Sequence, residues 1–328
     1  MGLSAAAADA HITRWTDELG KRPSYPHRVY WPSLLFHHAP VQNAVSIIQS
    51  GEIRSRRQTE GQRPLDVAGA GVIDHRHRAH AFSRLYFRPR TPTQYHIEGI
   101  RRPNECQYGP AAHAPVLVMF ALKARSILTM PATRFSDINM QRDEARDGDT
   151  DAFFGTIDFN KVYHEGSFGG DASIGNHRAA EVLCHSPLIL TEHLKWIVCR
   201  SEAERETLIH MAGPAGRALR RKIVTSDDRK VFEKRFAFVE KVYASSEGVT
   251  FHLSPRHDAS PLKVRVEVHN DEGDLVFDQT YGRLAARPDT GGGWIATGDL
   301  EDGFHRVQIH IDDQLAYQNL LFVGEALF

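Results

Sequence analysis

Cysteine is scarce in this 328-residue chain: Cys106, Cys184 and Cys199 are the only three, far apart and without CxxC spacing. That excludes a disulfide framework and a zinc ribbon, and it fits a reducing, cytoplasmic compartment. Long apolar runs are missing too, so no segment reads as a membrane span. The first residues lack the basic, apolar, small-residue order of a signal peptide, and Ala6 stands where a myristoylation pattern needs Ser or Thr. Net charge of one sign is absent as well, with 40 basic against 41 acidic residues. Attraction to a polyanion must therefore come from a local patch. The 19 histidines include no HExxH and no paired His/Cys spacing, so no metal is expected. "GAGVID" is not a full dinucleotide-binding glycine fingerprint.

A local patch is present. "HRHRAHAFSRLYFRPRTPTQYHIEGIRR", from His75 to Arg102, holds seven arginines and four histidines, and its one acid is Glu98. In its first half, Arg76 and His80 share a helical face over an expected short helix from Val72 to Phe82. A solvated basic face would look the same as arginines gripping a pyrophosphate. In its second half, Arg84, Arg88 and Arg90 alternate with Tyr86, Phe87 and Tyr95, the mixture that phosphate contact and base stacking require. Core packing of one or more of these aromatics is the plainer alternative.

The rest of the chain divides by texture. Ser4 and Gly20 bracket a first helix. "RVYWPSLLFHHA" reads as a buried strand ending in histidines, and "PVQNAVSIIQSG" as a helix stopped at Gly51. "RLYFRP", "APVLVMFAL" and "HLKWIVCR" read as strands, and the stretch before "RAAEVLCHSPLIL" as a long acidic then glycine-rich loop. From Phe236 onward seven short strands separated by turns indicate a small β-sandwich, with Val264, Val266 and Val268 alternating against Arg265 and Glu267.

Two further residues invite chemistry. Glu181 lies inside an apolar strand, where it either faces water or has a buried partner. His37 ends a strand before a helix; it is either a satisfied core histidine or a side chain facing a cleft. His38 beside it should point to the opposite face, so one strand offers a site only one of them.

His37, "HRHRA", "LYFRPRTPTQY", "RFSDINM" and "HRAAEVL", in this order, resemble the DarT family, bacterial toxins that ADP-ribosylate nucleic-acid bases. The resemblance spans residues 30–230 and implies an α/β (α+β) ADP-ribosyltransferase-like split-sheet domain at 30–233. Before it stand a helix and linker at 1–29; after it, at 236–328, stands the all-β sandwich, assigned to target or partner recognition. The resemblance implies NAD as a consumed co-substrate, Glu181 and Arg76 as catalytic residues, and His37, His38, Ala39 and Arg76 as NAD contacts. The family commonly has His, an apolar residue and Thr where this chain has His37, His38 and Ala39, which removes one hydroxyl contact. Arg88, Arg90 and Tyr95 are expected on a single-stranded nucleic acid, since a base edge is hidden in a duplex.

The chemistry agrees with these roles. Breaking the nicotinamide–ribose bond builds positive charge on the sugar carbon, which a fixed carboxylate stabilises. The resemblance further implies a role in a toxin–antitoxin system or phage defence, and a macrodomain ADP-ribosyl hydrolase as antitoxin. DNA is the expected acceptor. RNA is the alternative of the same chemistry, a catalytically inactive nucleic-acid binder the alternative of another class, and a protein-modifying transferase a further one.

Overall fold

The computed structural model describes residues 2–62, 64–66, 77–109, 112–225, 229–258, 260–287 and 289–324. Two hydrophobic cores organise it.

The first core backs a mixed sheet of eight strands. In chain order these are β1 (Leu34–Pro40), β3 (Ser83–Tyr86), β4 (Leu117–Lys123), β5 (Arg134–Ser136), β6 (Asp147–Gly148), β7 (Glu181–Cys184), β9 (Leu194–Cys199) and β10 (Ile223–Thr225). A separate two-stranded pair joins β2 (Glu52–Ile53) to β8 (Leu188–Ile189). Across the large sheet the order is β10-β9-β4-β1-β3-β7-β5-β6. Its middle is a seam: β1 pairs with β4 along its whole length but with β3 at Phe36 and Tyr86 alone. Beyond that pair the two halves part.

Local chemistry explains the elements around the seam. Helix α1 (Ala5–Gly20) is capped by Ser4, whose hydroxyl accepts the N–H of Ala7. It is no loose appendage: His11 and Trp15 pack against the rings of Phe159 and Tyr163. Helix α2 (Val41–Ser50) stops at Gly51, which takes the left-handed conformation at φ 71°.

Three expectations are corrected. "RVYWPS" is a 3-10 turn from Pro26 to Ser33, not strand, because Pro32 has no N–H to give a ladder. The long loop carries three short helices, Asp151–Phe154, Phe159–Val162 and Ser173–His177, the first two capped by Thr150 and Asp158. Of the expected helix at 72–82, residues 72–76 lie outside the described residues and His77–Ala81 form a 3-10 turn.

The second core lies between two antiparallel sheets. One holds β11 (Val239–Ser245), β12 (Gly248–Leu253) and β15 (Gly292–Thr297); the other holds β13 (Leu262–His269), β14 (Leu275–Leu284), β16 (Gly303–Ile311) and β17 (Gln314–Val323). Val264, Val266 and Val268 point inward with Val307, Ile309 and Ile311, as their alternation predicts. The two parts are joined by more than a linker. Ile100 and Ala203 sit in this second core. Tyr317 donates to Glu206 at 3.0 Å, and Arg256 donates to Glu105 at 2.6 Å. Glu98, 2% exposed, accepts the side-chain amide of Gln94 and the backbone N–H groups of Glu233 and Lys234 at 2.8–2.9 Å.

Candidate active site

Where β1 and β3 part, a cavity of about 350 Å³ opens. His37 reaches it from the middle of β1, which runs on to Pro40, so the expectation that it ends the strand is corrected. Its Nδ1 lies 2.9 Å from the carbonyl oxygen of Arg84. A carbonyl only accepts, so Nδ1 carries the proton and Nε2 is left as an acceptor. Burial lowers the pKa of His37, which keeps this neutral form in place. His38 also lines the cavity, its ring stacked on Tyr86 at 5.4 Å. The expectation that only one of the two histidines serves is therefore corrected: at a parting seam, the opening takes residues from both faces. Ala39 lines it too, largely buried.

Glu181 opens β7 directly across from Tyr86. It is 0% exposed, so the water-facing reading is excluded. Ser136 accepts its backbone N–H at 2.8 Å. Its carboxylate is gripped by Arg84, with Nε at 2.6 Å and Nη2 at 2.7 Å, a two-point fork that suits a planar anion. Arg84 itself lines the cavity. The sequence alone does not reveal this partner: there Arg84 is one arginine of an arginine–aromatic stretch, with no role of its own. Tyr86 is paired with Glu181 and Arg84 with Leu183, so Arg84 meets Glu181 on the diagonal of an antiparallel pair. Arg76 lies outside the described residues.

A second cleft, of about 910 Å³, adjoins the first and shares Pro92, Tyr108, Asn139 and Gln141 with it. Arg90, Tyr95, Arg178 and Glu233 line it. Arg90 has φ 53°, and its N–H donates to the side chain of Gln94 at 2.7 Å, which fixes the turn into the helix Pro92–Ile97. Its guanidinium lies 2.5 Å from Glu165. For Glu165 burial favours the neutral form, but Arg88, Arg90 and Arg178 outweigh it and hold the carboxyl below its usual range. The Tyr95 hydroxyl takes a hydrogen bond from Arg235 at 2.5 Å.

Arg88 is not at this surface. It is 1% exposed, bonded to the carbonyls of Pro89 and His164 and to Glu165, and stacked on Trp31 at 4.6 Å. The expectation that it grips nucleic acid is corrected: its charge ties the 159–165 segment to the sheet. Among the described residues no group of three His, Cys, Asp or Glu can hold a metal, and no helix is long and apolar enough to cross a membrane.

No curated protein sequence matches this chain. Solved structures similar to it include Thermus sp. 2.9 DarT in complex with ADP-ribosylated ssDNA, at 14% identity and a TM-score of 0.48, covering 61% of this chain and 96% of that one. The same protein in complex with NAD+ is 16% identical with a TM-score of 0.46, covering 61% and 98%. Thermosipho africanus DarTG in complex with ADP-ribose is 18% identical with a TM-score of 0.46, covering 61% and 50%. The family model described as "ssDNA thymidine ADP-ribosyltransferase, DarT" matches residues 36–229, more than half of the 328 residues and the whole of the seam, Glu181 and the Arg90 turn. This chain therefore belongs to the DarT family.

Proposed function

We propose that the chain transfers ADP-ribose from NAD to the thymine base of single-stranded DNA, releases nicotinamide, and acts in the cell as a toxin countered by a macrodomain hydrolase. The observation that carries this reading is the buried carboxylate of Glu181 held in a two-point grip by Arg84, which lines the first cavity together with His37 and His38, while a second cleft of mixed charge adjoins it. Family membership supplies the donor, NAD, and the acceptor class. We assign the transferase domain to residues 30–233, around the matched segment 36–229, and the sandwich at 236–328 to target or partner recognition.

Each residue then has a task. As the nicotinamide–ribose bond breaks, its electron pair leaves with the nicotinamide nitrogen and positive charge develops on the sugar. Glu181 stabilises that charge more than it stabilises the ground state, which is what accelerates the step. His37 offers Nε2 to a ribose hydroxyl, with Arg76 completing the NAD contacts. Arg90 and Tyr95 hold the unpaired strand in the second cleft.

His37→Ala is expected to raise KM for NAD about tenfold, the worth of one hydrogen bond in a buried site. Because burial keeps the imidazole neutral, that KM is expected to stay level in the wild type as pH falls through about 6.5; a steep rise there would mean a protonated ring in the working state. Arg90→Ala is expected to weaken oligonucleotide binding and to flatten the logarithmic salt dependence by about 0.7. An unchanged slope removes Arg90 from the phosphate contacts.

Mass spectrometry of DNA and RNA oligonucleotides containing all four bases, incubated with the chain and NAD, tests the whole reading. One added ADP-ribose on thymidine-containing DNA alone is expected. Addition to RNA alone would replace the acceptor, and intact oligonucleotides with intact NAD would leave a binding module.

A further inference from the structure

The second cleft carries a row of rings: Tyr95, His96 and Tyr108 all line it. Successive ring centroids along the row lie 5.3 and 5.1 Å apart, each pair edge-on. Rings in a row suit an unpaired strand, because every base has a π-face to stack. They serve only if they are held. The helix Pro92–Ile97, which bears the first two, has six residues, too few to be stable without outside support.

That support comes from the segment entering the sandwich. The Tyr95 hydroxyl takes a hydrogen bond from Nη1 of Arg235 at 2.5 Å, and the same guanidinium lies 4.9 Å from the ring centroid. The Tyr95 carbonyl accepts from Arg101, whose guanidinium lies 4.2 Å over the buried ring of Phe236. Arg256 covers Phe236 as well, at 5.1 Å, and is anchored to Glu105 and Asp258. The carbonyl of Arg235 accepts from the backbone N–H and from Nδ1 of His257, at 2.7 and 3.0 Å. Gln94, wholly buried, ties the helix to the same segment. It donates to the Val231 carbonyl at 2.8 Å and accepts the N–H of Arg90.

Tyr108 is held through its own stretch of chain. Before it, Arg102 meets Asp312 at 3.6 Å and donates to the Pro261 carbonyl. After it, the ring of His113 meets the side chain of Gln314 at the start of β17. The gripping residues, from Arg235 to Gln314, all lie past residue 229, where the match to the family ends. Among the described residues, neither Tyr95 nor any residue of the sandwich lines the first cavity. The effect of this support therefore falls on the acceptor side.

Resting on the function proposed above, we propose that the sandwich and the segment leading into it are a built part of the acceptor site, with Arg235 as a positioning residue that sets Tyr95 for stacking on the unpaired strand. The planar fork of an arginine can bond the hydroxyl and lie beside the ring at once; a lysine can do only the first.

The test reads binding directly on the full chain. A fluorescein-labelled single-stranded oligothymidine is titrated by anisotropy without NAD, and NAD by calorimetry without the oligonucleotide. Arg235→Ala is expected to raise the oligonucleotide Kd about tenfold, the worth of one base stacked on an aromatic ring, and to leave the NAD Kd unchanged. Arg235→Lys should recover little of the loss. The salt slope should stay as in the wild type, since Arg235 is engaged by Tyr95; a slope flatter by about 0.7 would make it a phosphate contact and overturn the positioning role. Tyr95→Phe keeps the ring without the hydroxyl and is expected to raise the Kd about threefold. In the Arg235→Ala background it should add nothing.

An unchanged oligonucleotide Kd in Arg235→Ala, an equal rise in its NAD Kd, or full additivity of the two changes overturns this inference alone. A wild-type chain that binds the oligonucleotide but transfers nothing overturns the function proposed above, and the variants still decide the role of Arg235. One that binds no oligonucleotide overturns both.

Discussion

Glu181→Gln is expected to lose ADP-ribose transfer by about 10³-fold, because the charge facing the developing cation is gone while the shape remains. The same change has a second effect. Arg84 grips both carboxylate oxygens in a site where Glu181 is fully buried, so the variant leaves a guanidinium without its counter-charge. Stranding one partner of a buried pair costs about 3–5 kcal/mol at the upper end; the amide oxygen of Gln still accepts one bond, so a loss towards the lower end is expected. Arg84→Met, which strands the carboxylate instead, is expected to be the more destabilising single change. The double variant should recover part of that stability in denaturant unfolding and none of the activity. Transfer at the wild-type rate in Glu181→Gln would sink the catalytic role. Strict additivity of the two unfolding losses would sink the pairing.

Glu98→Ala is expected to loosen the attachment of the sandwich. Its buried carboxylate collects one buried side-chain donor and two part-buried main-chain N–H donors. Hydrogen bonds to a charged group are worth about 1.5–3 kcal/mol each, and they do not add fully, so a total loss of roughly 3–5 kcal/mol follows. The lowered stability should appear as a fall in Tm together with faster proteolysis between β10 and β11. Glu98→Gln, which can accept from some of these donors but not replace the charge, should fall between. An unchanged Tm and cleavage rate in Glu98→Ala would mean that the junction is held elsewhere, by pairs such as Tyr317 with Glu206.

What was legible in the sequence followed the range of the interactions that decide it. The sandwich strands announce themselves, since alternation at Val264, Val266 and Val268 is a local signal that burial on one face enforces. Helix α2 is marked at its end by Gly51. Glu181 was found because a carboxylate in an apolar strand is anomalous. Its partner was not, because the diagonal meeting of Arg84 with Glu181 depends on the register of strands 97 residues apart. Arg88 misled for a related reason. Arginine beside aromatics reads alike whether it faces a phosphate or stacks on Trp31 under the sheet, and only the approach of residues 162–165 separates the two. Glu233 carried no signal at all, since nothing local brings the segment before the sandwich to the cleft beside Arg90 and Arg178.

The wall of Pro92, Tyr108, Asn139 and Gln141 common to the two cavities bears on the order of events in a turnover. On the proposed function, two adjoining compartments would hold donor and acceptor together, and direct passage of the sugar from one to the other is the expected outcome. Initial-rate plots at several fixed concentrations of one substrate against the other should then converge, where a parked sugar would give the parallel lines of a ping-pong scheme.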